Sequence, residues 1–263
     1  MSEPGADGAL PAIFAKTGTT YLEAKPHGLE VAFPDAANMA SLVNRILRGG
    51  EYPMPELPGY APRLVVDIGA NIGAAALCFA LRYPGAEVHC YEPSRHNLAF
   101  LRRNTAPLPR IHCHDHGLSD RDQEADLFLG VSQSMQCSVI ASPETGGATE
   151  RVTLRRARTA LEPLDLGAGR AVLKLDTEGC ELPILSDLAP LLGGVDLIYV
   201  EYHSESDRRA IEGLLAARFA LAAARAHHPH RGLNLYLATT LWAAYPALDD
   251  LRLVSSPGPR TTP

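Results

Sequence analysis

The five cysteines, Cys78, Cys90, Cys113, Cys137 and Cys180, form no C-x-x-C pair and are odd in number. That excludes a disulfide framework or a zinc knot as the organising device. It fits thiols used as small core residues in a reducing compartment. No run of about 18 apolar residues occurs, so no membrane span is expected. The N-terminus, MSEPGADGALPAIF, has no basic stretch followed by an apolar run, so no signal peptide is expected. Positive charge is not in excess: 24 Lys and Arg face 30 Asp and Glu, a net charge of −6. Bulk attraction to nucleic acid or to an anionic membrane is thereby excluded as the main mode of action. There are no internal repeats. These absences leave a cytoplasmic protein whose partner is a small molecule, with a homodimer left open.

What is present is a core. Hydrophobic residues make up 46% of 263, enough for one large α/β domain and an N-terminal extension. Residues 1–60 are irregular apart from a helix expected over Ala37–Leu47. Asp35 can cap it, Met39, Leu42, Val43 and Ile46 recur at helical spacing, and Gly49-Gly50 ends it. The proline-bearing stretch Tyr52–Gly59 reads as an extended linker.

From Arg63 onward, short apolar runs alternate with helical patterns. Strands are expected at Leu64–Val66, Glu87–Tyr91, Arg110–His114, Ala171–Leu175 and Leu197–Glu201. Helices are expected at Ile72–Arg82, Ser94–Asn104, Cys180–Leu192 and Ser206–Arg218. Leu127–Leu129 and Arg151–Arg155 read as strands near an irregular insert, Ser132–Thr149. Phe219–Ala224 and Leu233–Ala238 read as two closing strands around the loop His227–Gly232. The alternation predicts an α/β fold: a doubly wound, mostly parallel, seven-stranded Rossmann-like sheet with an N-terminal helical extension. One antiparallel strand is expected at an edge. The division expected is 1–60 extension, 61–240 main domain and 241–263 tail. In such sheets ligands sit beyond the C-terminal strand ends.

After the first strand comes Asp67-Ile-Gly69-Ala70-Asn71-Ile-Gly73, followed by a helix. Gly69 permits a sharp turn and close approach of a ligand. Gly73 permits close packing of helix on strand. The helix N-terminus offers free N–H groups. Glu92, after the second strand and beside Pro93, is placed to accept hydrogen bonds from two ribose hydroxyls. A carboxylate at Asp67 suits a cationic ligand better than a pyrophosphate. S-adenosylmethionine, with its sulfonium, ammonium and ribose, is therefore the preferred ligand. A nicotinamide or flavin dinucleotide, or a tight turn with no ligand, are the alternatives. Tyr52, just before the first strand, is expected over the methionine part. Asp115 and His116, after the third strand, are expected at the adenine edge.

VVDIGANIG, YEPSRHNLAFLRRN, Gly117-Leu-Ser-Asp120, Leu173-Lys-Leu-Asp-Thr-Glu-Gly-Cys-Glu-Leu182 and Val200-Glu-Tyr-His203 together resemble the FkbM family of S-adenosylmethionine-dependent methyltransferases. The resemblance covers roughly residues 46–238, and the block Lys174, Asp176, Glu178, Gly179, Glu181 is its most specific part. It implies a class I methyltransferase fold and O-methylation of a sugar or polyketide hydroxyl in natural product biosynthesis. One departure is Leu161-Glu162, where the family often shows Leu-Asp. The alternatives are N- or carboxyl-methylation, or a non-catalytic donor-binding module.

The residues themselves place Asp176 at the end of a strand, near the methyl to be transferred. Glu178 and Glu181 open the next helix, where the dipole favours negative charge. Lys174 pairs with a carboxylate across the sheet or holds an acidic substrate group. Glu201 and His203 share a face after the following strand. His203 is the first choice of general base, then Asp176, with Glu201 serving the acceptor. Base catalysis without metal is preferred. The metal-assisted alternative is Mg2+ held by Asp176, Glu178, Glu201 and His203. His112, His114 and His116 alternate along one strand and cannot easily converge on a metal. His227, His228 and His230 read as a solvated hairpin, and Arg155, Arg156 and Arg158 as a solvated basic face. Cys180 reads as packed rather than reactive.

Overall fold

The computed structural model describes residues 19–24, 29–34, 39–130, 145–245 and 253–254. Residues 1–18, the expected cap Asp35 and most of the insert 132–149 lie outside these residues.

The chain begins with β1 (Thr19–Ala24) and β2 (Leu29–Pro34), an antiparallel hairpin, and α1 (Met39–Leu47). The extension is thus not purely helical. The short β3 (Met54–Pro55) precedes the core elements β4 (Leu64–Ile68), α2 (Ala74–Arg82), β5 (Glu87–Tyr91), α3 (Arg95–Thr105) and β6 (Ile111–His114). A side sheet follows: β7 (Gly117–Ser119), β8 (Gln123–Gly130) and β9 (Thr145–Arg156). Then come α4 (Ala157–Leu161), β10 (Ala171–Leu175), α5 (Glu181–Leu188), β11 (Val195–Tyr202) and α6 (Glu205–Leu215). The chain closes with β12 (Phe219–His228), β13 (Arg231–Ala238), α7 (Thr239–Ala244) and β14 (Leu253–Val254).

Seven strands form the main sheet in the order β12-β13-β11-β10-β4-β5-β6. The expected antiparallel strand is β13, but it lies one place in from the edge. β12 hydrogen-bonds along its outer side, antiparallel to it, through a tight turn at Pro229-His230. The turn is shorter than the loop expected from the histidine run, because β12 continues to His228.

Alternation along the strands divides the core into two layers. Val65, Val172 and Leu197 face α1 and α2. Val66, Leu173 and Ile198 face α5 and α6. Met39, Val43, Ile46 and Leu47 of α1 are buried at helical spacing, each contributing about 1.5–3 kcal/mol from area removed from water. Asn104 of α3 donates to the carbonyls of Ala32 and Ile72 and accepts from the Ala32 N–H. The extension is thereby bonded into the main core. The Tyr52–Gly59 stretch is also no free linker: Tyr52, Met54 and Leu57 are buried, and Met54–Pro55 pairs with Leu253–Val254. Among the described residues, no helix is long and apolar enough to cross a membrane. Cys78, Cys90, Cys113 and Cys180 are unpaired.

Candidate active site

A cavity of about 250 Å3 opens at the C-terminal ends of β4, β5, β10 and β11. Its floor is the turn after β4. Gly69 has φ +78, and a Cβ there would fall 1.8 Å from the Asp176 carbonyl oxygen. The two strand exits therefore touch only because residue 69 has no side chain. Asn71 is left-handed at φ +51, and its N–H donates to Glu92 Oε2 at 2.8 Å. Glu92 Oε1 accepts from the Ser94 N–H at 2.9 Å. Burial raises the Glu92 carboxyl to about 7, against the pull of the Ser94 and Asn71 N–H groups.

Three buried polar atoms of lining residues, Asn71 Oδ1, Asn97 Oδ1 and Thr177 Oγ1, have no hydrogen-bond partner among the described residues, although buried polar atoms are nearly always paired in a folded protein. Tyr91, Pro93, Leu118, Leu127 and Leu154 give the same cavity an apolar side.

Asp67 does not line the cavity. The parallel register of β4 on β10 sets it opposite Lys174, and both are fully buried in an ion pair at 2.9 Å. Lys174 Nζ also donates to the Gly69 carbonyl at 2.7 Å and lies 3.9 Å from Asp176. Burial lowers the lysine's affinity for its proton, but Asp67 and Asp176 more than restore it, and Lys174 stays charged. The expectation that Asp67 meets the ligand directly is corrected: it holds the lysine that holds the turn. This is the carboxylate pairing foreseen for Lys174.

Of the other residues expected to hold the donor, Tyr52, Asn71, Glu92, Pro93, Gly69 and Asp176 line the cavity, while Ala70, Gly73, Asp115 and His116 do not. Ala70 is buried beneath the turn, its N–H donating to the Tyr91 carbonyl. Gly73 packs on Leu101 of α3. Asp115 points to solvent near Arg102. His116 packs edge-on against Tyr91. Tyr52 donates to Asp176 Oδ2 at 3.3 Å.

The acidic wall comes from the loop after β10 and the end of β11. Glu178 is left-handed at φ +55, ahead of Gly179 at φ +110. This backbone turn brings Glu178 Oε2 to 3.2 Å from His203 Nε2. Glu181, 2% exposed, accepts from the N–H groups of Thr177 and Gly179 at 2.7 and 3.0 Å and lies 3.4 Å from His203 Nδ1. Glu201 Oε1 is 3.9 Å from His203 Nε2. Asp176, Glu178 and Glu201 line the cavity, and His203 stands behind them. Burial alone would lower His203, but Glu178 and Glu181 reverse this and push it up to about 11. The imidazole therefore carries a proton at neutral pH. It is not poised to accept one, contrary to its expected role as first-choice base.

The mouth is built by residues that the sequence did not assign to the site. Leu42, Arg45, Ile46 and Glu51 come from α1 and the turn after it, and His227, His228 and Arg231 from the β12–β13 hairpin. Glu51, 6% exposed, is ion-paired with Arg45 and lies 3.2 Å from His227 Nε2. The histidine hairpin is exposed as expected, yet two of its residues face the cavity.

His89, His112 and His114 form a stacked ladder, with His89 Nδ1 3.1 Å from His114 Nε2. Burial and the neighbouring rings lower His89 to about 4. His112 Nε2 also meets Glu87 Oε2 at 2.7 Å. Arg156 pairs with Asp187 at 2.7 Å, so the basic run is partly fixed to α5. Burial pushes the Cys180 thiol up to about 12, in keeping with a packed residue.

Residues 67–228 match the methyltransferase FkbM domain. The 2-O-methyltransferase NoeI of Sinorhizobium fredii is 27% identical over 59% of this chain and 68% of its own length. The AMB antimetabolite synthetase AmbE of Pseudomonas aeruginosa is 28% identical over 78% of this chain, which corresponds to 12% of that much longer protein. Among solved structures, Aeropyrum pernix fibrillarin with natively bound S-adenosyl-L-methionine is 13% identical, with a TM-score of 0.43, over 84% of this chain and 83% of its own. The domain match spans more than half of the sequence, and the chain belongs to the FkbM methyltransferase family.

Proposed function

We propose that this protein transfers a methyl group from S-adenosylmethionine to a hydroxyl of a small metabolite, such as a sugar or polyketide. The observation that carries the donor half is the set of three unpartnered buried atoms, Asn71 Oδ1, Asn97 Oδ1 and Thr177 Oγ1, in one cavity with Glu92. A nucleoside with an amino-acid tail supplies partners for such groups. Glu92 accepts from the ribose hydroxyls, and the apolar side between Pro93 and Leu154 takes the adenine. When bound, the donor supplies an electrophilic methyl group on a sulfonium.

The acceptor half rests on the acidic wall. Asp176 and Glu201 face the cavity and accept the proton of an attacking hydroxyl. With both partners held in one cavity, positioning contributes a large part of the rate. The name of the relative NoeI supports oxygen as the acceptor atom. A panel of hydroxyl, amine and carboxylate acceptors with methyl-labelled donor tests this. Label appearing in methyl ethers is expected, and label confined to amines or esters refutes it.

Donor binding is expected to depend on pH. Glu92 accepts ribose hydroxyls best as a carboxylate, so affinity for S-adenosylhomocysteine rises with pH through about 7. From pH 8 to pH 6 the loss is about tenfold, the fall in ionised fraction across one unit below the pKa. The sign for folding is opposite. A carboxyl whose folded pKa is raised contributes stability at low pH, and loses it as pH rises through about 7. Glu92→Gln is expected to bind weakly with a flat pH profile. Calorimetric titration decides, and a flat profile in the unmodified protein counts against Glu92 as the ribose contact.

A further inference from the structure

We propose that Asp176, Glu178 and His203 hold a divalent cation of the magnesium–manganese class, which binds the acceptor hydroxyl beside Glu201. The purpose of the site rests on the methyl-transfer reading, while the site itself rests on geometry. One oxygen from each carboxylate and one ring nitrogen lie within 4.8 Å of one another, the one such group among the described residues.

His203 points to the ligand independently of the acids. Its side chain is 8% exposed, and neither ring nitrogen makes an aligned hydrogen bond, although carboxylate oxygens lie at 3.2, 3.4 and 3.9 Å. Metal-bound histidines turn one nitrogen to the metal and the other, as N–H, to a carboxylate, so a cation bound here takes the place of the Nε2 proton and releases it. Here Nδ1 faces Glu181, whose position is fixed by two backbone N–H groups. Nε2 faces Glu178 and Glu201 on the cavity side.

Charge favours the same occupant. Asp67, Asp176, Glu178, Glu181 and Glu201, five carboxyl groups, cluster around three basic side chains, Lys174, Arg231 and His203. Lys174 is committed to Asp67. Arg231 lies 3.7 Å from Glu178 and balances one further charge. Two oxygens and one imidazole, without thiolate, suit a hard or borderline cation and leave coordination positions for the acceptor.

A hydroxyl bound there is acidified. Its proton passes to Glu201, its oxygen forms the bond to the methyl carbon, and the methyl–sulfur bond breaks. The sulfonium leaves as a neutral thioether. This reverses the metal-free expectation drawn from the sequence, and it assigns the acidic wall a substrate: an acceptor that presents an oxygen to a metal.

The test is titration of the full chain with Mn2+ alone, without donor or acceptor, followed by paramagnetic resonance. One saturable site per chain is expected. Glu178→Gln and His203→Ala are each expected to abolish it. Glu181→Gln, which removes the charge behind the imidazole, is expected to weaken it about 10–100-fold. Thermal melts establish that each variant is folded, and Glu178, 19% exposed against 8% for His203, serves if the more buried variant fails. No saturable binding, or binding unchanged in both Glu178→Gln and His203→Ala, overturns the proposal. Such a result leaves donor binding untouched. Loss of S-adenosylhomocysteine binding with Mn2+ binding intact would instead remove the methyl-transfer reading alone.

Discussion

Gly69→Ala is expected to weaken donor binding about 10²-fold in a protein that still folds. Two costs combine at this residue. An L side chain at φ +78 is strained by about 1–2 kcal/mol. A Cβ would also fall 1.8 Å from the Asp176 carbonyl oxygen, a backbone atom that cannot rotate away. The turn after β4 and the exit of β10 must separate, by at least an ångström. The same movement displaces Asn71 and Asp176, which face the ligand from opposite sides. Misplacement on that scale costs about 10²-fold in rate, and affinity for S-adenosylhomocysteine is expected to fall comparably. Gly59 supplies the control: its φ is +77 with nothing within 4 Å of the added atom. Gly59→Ala bears the strain without the collision, so it should lose stability only slightly and keep its affinity. If both variants bind equally well, the contact between the two strand exits does not shape the site.

Periodicity made the sheet legible, because one apolar layer on each face forces a repeat on strands and helices. The strands β4, β5, β6 and β10 and the helix ending at Leu47 follow from that repeat, whereas β7 did not and β8 and β9 run longer than it showed. The small elements Met54–Pro55 and Leu253–Val254 do not, since two residues carry no period and pair only through tertiary contact. β13 was legible as a strand, but its place inside the edge was not. Which neighbour a hairpin uses is decided by the sheet it joins.

The site shows the same division. Gly69, Asn71 and Glu92 follow strand ends and were found by that rule. Asp67 lies just before one, and strand register, invisible in one sequence, paired it inward with Lys174. Asn97 sits in α3 amid a helical pattern that gives no hint of its unpartnered oxygen. Arg45 and His227 both pair with Glu51 because the extension folds against the hairpin, and Glu51 reaches His227 across about 180 residues. His203 was found, but its role changed, because the carboxylates that govern its proton come from a different loop.

Lys174→Met is expected to be the most destabilising substitution in the domain. It leaves Asp67 fully buried with no counter-charge, and breaking such a pair costs about 3–5 kcal/mol. For a chain of this size that corresponds to a fall in melting temperature of roughly 10 °C or more. Donor affinity should fall as well, since the Gly69 carbonyl loses its hydrogen bond from Lys174 Nζ at 2.7 Å. The two effects are separable. Asp67→Asn with Lys174→Met removes both charges together, and much of the stability should return, because burying an ion pair is itself expensive. The Gly69 carbonyl remains without the lysine in that double variant, so affinity for S-adenosylhomocysteine should stay low. Melting curves and calorimetry on the single and double variants complete the cycle. Recovery of stability without affinity would show that Asp67 serves the ligand through Lys174 and the turn. Recovery of both would mean that the turn holds its shape unaided, and that the acid of the Asp67–Gly73 segment is there for the ion pair alone.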